Sequence, residues 1–153
     1  MNKISNYILI LSFFLLTNCG YEAVLNNQNY QFSINVNKIN GDQKINSLII
    51  NSFKQLKENE KKYNLSLTSN KEKLIISKDS KGDPSIFEIK INVNYVVKKD
   101  GEILISNKIN KKTTYNNITD KFELENYEKT IINNLVSEIS DNIMLSISKV
   151  SEW

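Results

Sequence analysis

The stretch Phe87-Glu-Ile-Lys-Ile-Asn-Val-Asn-Tyr-Val-Val97 places apolar side chains at Phe87, Ile89, Ile91, Val93, Tyr95 and Val97, with mostly polar residues between them. Successive side chains of a strand point to opposite faces, so this alternation describes a long strand with one buried face. Asp100-Gly101 follows, and a second apolar run starts at Ile103. An Asp-Gly pair between two alternating runs is a strong hairpin signal, because it tolerates the tight turn that antiparallel strands need. The partner strand then carries Ile103, Ile105, Ile109, Thr113 and Tyr115 on its inner face.

Working outward, Lys78-Asp-Ser-Lys-Gly-Asp-Pro-Ser85 reads as a loop and holds the single proline, Pro84. Before it, Tyr63 to Ser77 reads as a strand with apolar positions at Leu65, Leu67, Leu74, Ile75 and Ile76. The parity of those positions changes along the segment, so a bulge is expected near Asn70-Lys71. Upstream, Tyr30, Phe32, Ile34 and Val36 alternate with Gln31, Ser33, Asn35 and Asn37, the pattern of another half-buried strand. Gly41-Asp42 interrupts it, and Asp42 is a suitable N-cap for a helix. Ile45, Leu48, Ile49, Phe53 and Leu56 follow at helical spacing, with Lys54, Lys57 and Glu58 directed outward.

The C-terminal segment is the longest helix. Asp120 precedes Glu123 at capping-box spacing, and Tyr127, Ile131, Leu135, Ile139, Ile143 and Ile147 recur every four residues. Leu124, Ile132, Val136 and Leu145 widen this stripe. A helix lying on a membrane is the alternative use of such a stripe, but that requires a cationic polar face. Here Glu125, Glu128, Glu138 and Asp141 outweigh Lys129 and Lys149, so the stripe is assigned to a core. The element order is β-α-β-β-β-α. Alternating strands need a second layer over their apolar face, and the two amphipathic helices provide it. The expected fold is an α+β two-layer sandwich: a four-stranded mixed sheet with both helices on one face. The last three strands form a meander, and a helical crossover allows the first two to run parallel.

Residues 1–18 are different in kind. Lys3 lies in a short polar start, and Tyr7-Ile-Leu-Ile-Leu-Ser-Phe-Phe-Leu-Leu16 is apolar but far short of the ~20 residues that span a bilayer. These are the proportions of a secretory leader. The chain's single cysteine, Cys19, stands just after it, in Leu16-Thr17-Asn18-Cys19-Gly20. A thiol so placed resembles the acylation site of a bacterial lipoprotein, with Asn18 where that box usually has Gly, Ala or Ser. The alternative is a secreted protein with a free thiol, a liability in an oxidising compartment. The expected organisation is therefore a leader at 1–18, a lipidated tether at 19–29 and a single domain at 30–153. The resemblance implies diacylglycerol on the Cys19 sulfur and an acyl chain on its nitrogen. Gly20, where lipoproteins kept in the inner membrane carry Asp, implies the outer membrane.

Composition bounds the chemistry. All 20 basic side chains are lysine, and the formal net charge is +3, or +2 once Lys3 leaves with the leader. So small an excess gives no bulk attraction to nucleic acid. Histidine is absent, which removes the commonest general base and metal ligand. With Cys19 used as an anchor, no thiol nucleophile or thiolate metal cluster can form. Gly20, Gly41, Gly82 and Gly101 are isolated, so no loop cradles a phosphate. Glu123, Glu125 and Glu128 read as the solvated face of a helix start. The expectation is a protein that is not an enzyme and holds no metal or other cofactor.

Cys19-Gly20-Tyr21, the hairpin at Gly101 with Glu102-Ile-Leu-Ile-Ser106 after it, and Thr113-Thr-Tyr115 before the last helix are shared features of one family. With the element order, they make the mature chain resemble the lipopolysaccharide-assembly lipoproteins, the LptE family. Glu22-Ala23 stands where that family usually has a proline. The resemblance implies a partner protein that plugs the lumen of an outer-membrane β-barrel of the LptD type, on the periplasmic side, and takes part in delivering lipopolysaccharide. An auxiliary or pilot lipoprotein of another envelope system, a phospholipid transporter or a secretin, is the alternative. The sheet face away from the helices is expected to present Glu88, Lys90, Asn92, Asn94 and Lys98, with Leu104, Ser106, Lys108, Asn110 and Lys112. Lys90, Lys108 and Lys112 are the candidate contacts for lipopolysaccharide phosphates. Lysine offers a point charge without the bidentate fork of arginine, so such contacts would be loose.

Overall fold

Alternation and helical periodicity resolve into the expected elements. The structure, a computed structural model, describes residue 30 and residues 32–54 and 61–151. The expected leader, the tether with Cys19, and Leu56, Lys57, Glu58 and Trp153 lie outside the described residues. In chain order the elements are β1 (Ser33–Gly41), α1 (Gln43–Phe53), β2 (Lys62–Lys78), β3 (Pro84–Lys99), β4 (Glu102–Asn116) and α2 (Lys121–Ser151). The sheet order is β1-β2-β3-β4. β1 and β2 are parallel, joined through α1, and the pairs β2/β3 and β3/β4 are antiparallel.

The core lies between one sheet face and the two helices. β3 supplies Phe87, Ile89, Ile91, Val93, Tyr95 and Val97, all buried, as the alternation requires. β2 adds Tyr63, Leu65 and Leu67, α1 adds Ile45, Ile49 and Phe53, and α2 adds Ile131, Leu135, Ile139, Ile143 and Ile147. Each such side chain, fully removed from water, is worth about 1.5–3 kcal/mol before the entropy of ordering it is charged. Phe32, just before β1, meets Tyr63 edge-on at 5.8 Å. Tyr127, expected at the head of the α2 stripe, is exposed, and Leu145 is only half-buried while Met144 is buried.

The β1–α1 junction is built on one glycine. Gly41 has φ +89°, and a Cβ there would stand 1.8 Å from the Ser69 carbonyl oxygen. That close approach lets the Asp42 amide donate to the Ser69 carbonyl at 3.1 Å, while Ser69 Oγ donates to the Asp42 carbonyl at 3.1 Å. Asp42 then caps α1, its Oδ1 accepting from the Ile45 amide at 3.0 Å. Asp120 does the same for α2, accepting from the amides of Phe122 and Glu123 at 2.9 Å.

Two register expectations are corrected. No bulge occurs at Asn70-Lys71: pairing with β3 is unbroken from Asn64 to Ile75, and the shifts come later, between Ile75 and Lys78. The apolar parity changes because the protein cover changes. β1 ends at Gly41, opposite Ser69, so beyond it β2 has a strand on one side only among the described residues. Its inner positions there carry lysines whose stems cover the surface. Lys73 pairs with Glu128 of α2 and lies 4.3 Å from the Phe87 ring centre, and Lys71 sits 3.9 Å from Asp42. The second correction is Ile103, which does not face the core. A shift at Leu104 pairs Val97 with Ile105 but Lys98 with Ile103, moving Ile103 to the face of Lys98 and leaving it 61% exposed.

Candidate functional site on the open face of the sheet

The hairpin turn fixes what the uncovered face presents. Asp100 and Gly101 have φ +51° and +91°, the two positive values of a type I′ turn, so β3 and β4 are locked in one register. That register sets the residues away from the helices into rows across β2, β3 and β4. The rows are Thr68, Asn94 and Lys108; Asn70, Asn92 and Asn110; Glu72, Lys90 and Lys112; and Leu74, Glu88 and Thr114. Directly opposed side chains on one face stand about 5 Å apart at Cβ, so each row is a contact set.

The three candidate lysines share this face. Lys90 and Lys112 are directly opposed. Like charges so placed repel, and the chain relieves them with neighbouring carboxylates. Lys112 Nζ reaches Glu88 Oε2 at 3.0 Å, and Glu88 is only 8% exposed although it lies on the open face. Glu72 flanks Lys90 from β2 and accepts from Asn70 Nδ2 at 2.8 Å. Asn110 Nδ2 donates to Asn92 Oδ1 in the next row. Lys108 stands two positions along β4 from that pair, opposite Asn94. Lys112 is thus already partnered, whereas Lys108 has one amide, Asn94, and one hydroxyl, Thr68, for neighbours in its row. Leu104, expected among the open-face residues, sits at the register shift, with Ile103 taking the place opposite Lys98.

The face offers ammonium groups, amides and hydroxyls on a rigid surface, which is the chemistry of loose anion binding. The ionisable groups with raised pKa values lie away from it. Burial, and then the Glu128 carboxylate that accepts the Tyr115 hydroxyl at 2.7 Å, hold the Tyr115 phenol protonated well above its usual range. Burial also raises the Asp141 carboxyl, helped by the charge of Glu138, and raises Tyr30, helped by Asp141. These are packing effects at the sheet–helix boundary. Reading the sequence alone misses the exposed apolar residues Leu74, Ile75 and Ile76 on β2 and Ile103 on β4, at the two ends of the sheet; Leu104, expected on the open face, is exposed beside Ile103. The available signal was three adjacent apolar residues, of which alternation must send at least one to the outer face.

Neither a family model nor a curated protein matches the sequence. Solved structures do match the fold. Rare lipoprotein B from Shewanella oneidensis superposes with a TM-score of 0.58 at 13% identity, over 76% of this chain and 96% of its own. Lipoprotein B from Nitrosomonas europaea gives 0.57 at 12% identity, over 78% and 87%. A minor lipoprotein from Acinetobacter baumannii gives 0.54 at 10% identity, over 80% and 93%. The chain shares its fold with bacterial lipoproteins. At such identities the likeness concerns architecture, and it extends over nearly all of each neighbour.

Proposed function

We propose that this protein is an outer-membrane lipoprotein, acylated at Cys19, that docks in an LptD-type β-barrel and assists the assembly of lipopolysaccharide. The observation that carries the reading is the fold: β-α-β-β-β-α, shared over 87–96% of their length with the three lipoproteins above. Two features of the chain support it. Cys19 directly follows an apolar leader-like run. The open face is a rigid, polar surface in which Lys90, Lys98, Lys108 and Lys112 outweigh Glu72 and Glu88. A surface of that kind can lie against the wet wall of a barrel lumen and meet anionic sugar phosphates. A lipid anchor keeps the domain beside its partner, raising the effective concentration for docking. Affinity purification from detergent-solubilised envelopes tests the proposal. A large β-barrel retained in stoichiometric amount supports it, and recovery of transporter subunits or of no partner refutes it.

A further inference from the structure

Both exposed apolar residues of β4 lie at the end of the sheet where the chain enters the domain. The Ser33 amide donates to the Lys61 carbonyl at 2.9 Å, and one row of paired residues runs Asn35, Asn64, Lys98, Ile103 across all four strands. Strands in a sheet are about 4.8 Å apart, so the entry point and Ile103 are only about 15 Å from each other. Ile103 is 61% and Leu104 40% exposed, beside the turn at Asp100-Gly101. Lys62 and Lys98 are exposed at the same end, and Lys99 Nζ lies over the Tyr63 ring, 6.0 Å from its centre. Asp100 and Glu102 at the turn only partly offset these charges.

From Cys19 to Tyr30 the chain can reach at most about 40 Å, at roughly 3.5 Å per residue. An anchored Cys19 therefore holds this end of the sheet within reach of the bilayer. We infer that the hairpin end is a membrane-seating surface: Ile103 and Leu104 enter the interfacial zone of a phospholipid leaflet, and Lys62, Lys98 and Lys99 meet its anionic headgroups. The chemistry is that of interfacial binding, apolar burial plus attraction between lysine and anionic lipid. Seating sets the sheet upright on the leaflet and leaves the rows around Lys90, Lys108 and Lys112 clear of it. The inference rests on acylation of Cys19, as proposed above.

The test uses full-length, processed protein in vesicles of phosphatidylethanolamine and phosphatidylglycerol. Trp153, the chain's single tryptophan, is replaced in the variant Trp153→Phe. Ile103→Trp is made in that background, with Ile76→Trp as a reference at the opposite end of β2, where the native side chain is similarly exposed. Flotation of the vesicles reads the anchor, and quenching by lipids brominated near the headgroup reads the seating. Protein that floats, with position 103 quenched several-fold more than position 76 and less so in high salt, supports the proposal. Protein that floats with both positions quenched alike overturns the seating and leaves the anchor intact. Protein that does not float overturns the anchor, and the seating falls with it.

Discussion

Replacing Gly41 by alanine tests the construction of the fold at its tightest point. The backbone there has φ +89°, and an added Cβ would lie 1.8 Å from the carbonyl oxygen of Ser69. Carbon and oxygen need over 3 Å, so the end of β1 and β2 must part by more than an ångström. The positive φ alone costs an L-residue about 1–2 kcal/mol. Parting also breaks two hydrogen bonds, Asp42 amide to Ser69 carbonyl and Ser69 Oγ to Asp42 carbonyl. Ser69 is buried, so each group left without a partner costs about 1–3 kcal/mol. The sum is about 3–8 kcal/mol, which lowers the melting temperature of a domain this size by roughly 10–30 °C. Gly101→Ala is the control: φ is +91°, but nothing lies within 4 Å of the added carbon. It should lose only about 1–2 kcal/mol, the backbone term. Urea unfolding followed by far-ultraviolet circular dichroism measures both. Equal losses for the two variants would refute the close-approach argument.

Three further outcomes follow. Ile139, fully buried in α2, should lose about 3–4 kcal/mol on change to alanine, whereas Phe122→Ala, at 75% exposure, should change stability by less than about 0.5 kcal/mol in the same urea titration. Asp141→Asn should stabilise the protein at neutral pH. Burial and Glu138 raise the Asp141 pKa in the folded state, so its charge opposes folding above that pKa. The penalty vanishes as pH falls below the unfolded carboxyl value, so denaturation midpoints of wild type and variant should converge in acid; a gap that widens there would contradict the sign. Changing Lys90, Lys108 and Lys112 together to glutamate should weaken binding to purified lipopolysaccharide at low salt, measured by calorimetry. Unchanged affinity would remove these residues from the site, and loss of folding through the Lys112–Glu88 pair is checked with the Lys112→Gln variant.

Much of the architecture was legible because two periodicities carry it. The inner residues of β3, Phe87 to Val97, and the four-residue stripe of α2 from Ile131 to Ile147 are buried as their spacing requires. Asp42, Asp120 and Asp100-Gly101 marked two helix starts and the hairpin because side-chain caps and positive φ are local properties. What failed was non-local. The exposure of Ile75, at an inner position opposite Phe87, depends on where β1 stops, which nothing within β2 encodes. The outward turn of Ile103 depends on the register shift at Leu104, and one slipped residue exchanges the faces. The open-face lysines were placed correctly by the alternation, but the buried carboxylate of Glu88 beneath Lys112 became visible only once β3 and β4 were paired.

The proposed anchoring rests on Cys19. Intact-mass and fragmentation analysis of the protein extracted from its native membrane examines that residue directly. The expected mature chain starts at Cys19, with a diacylglyceryl group on sulfur and an acyl chain on nitrogen. A chain that retains residues 1–18, or one whose Cys19 carries a bare thiol, would contradict that anchoring.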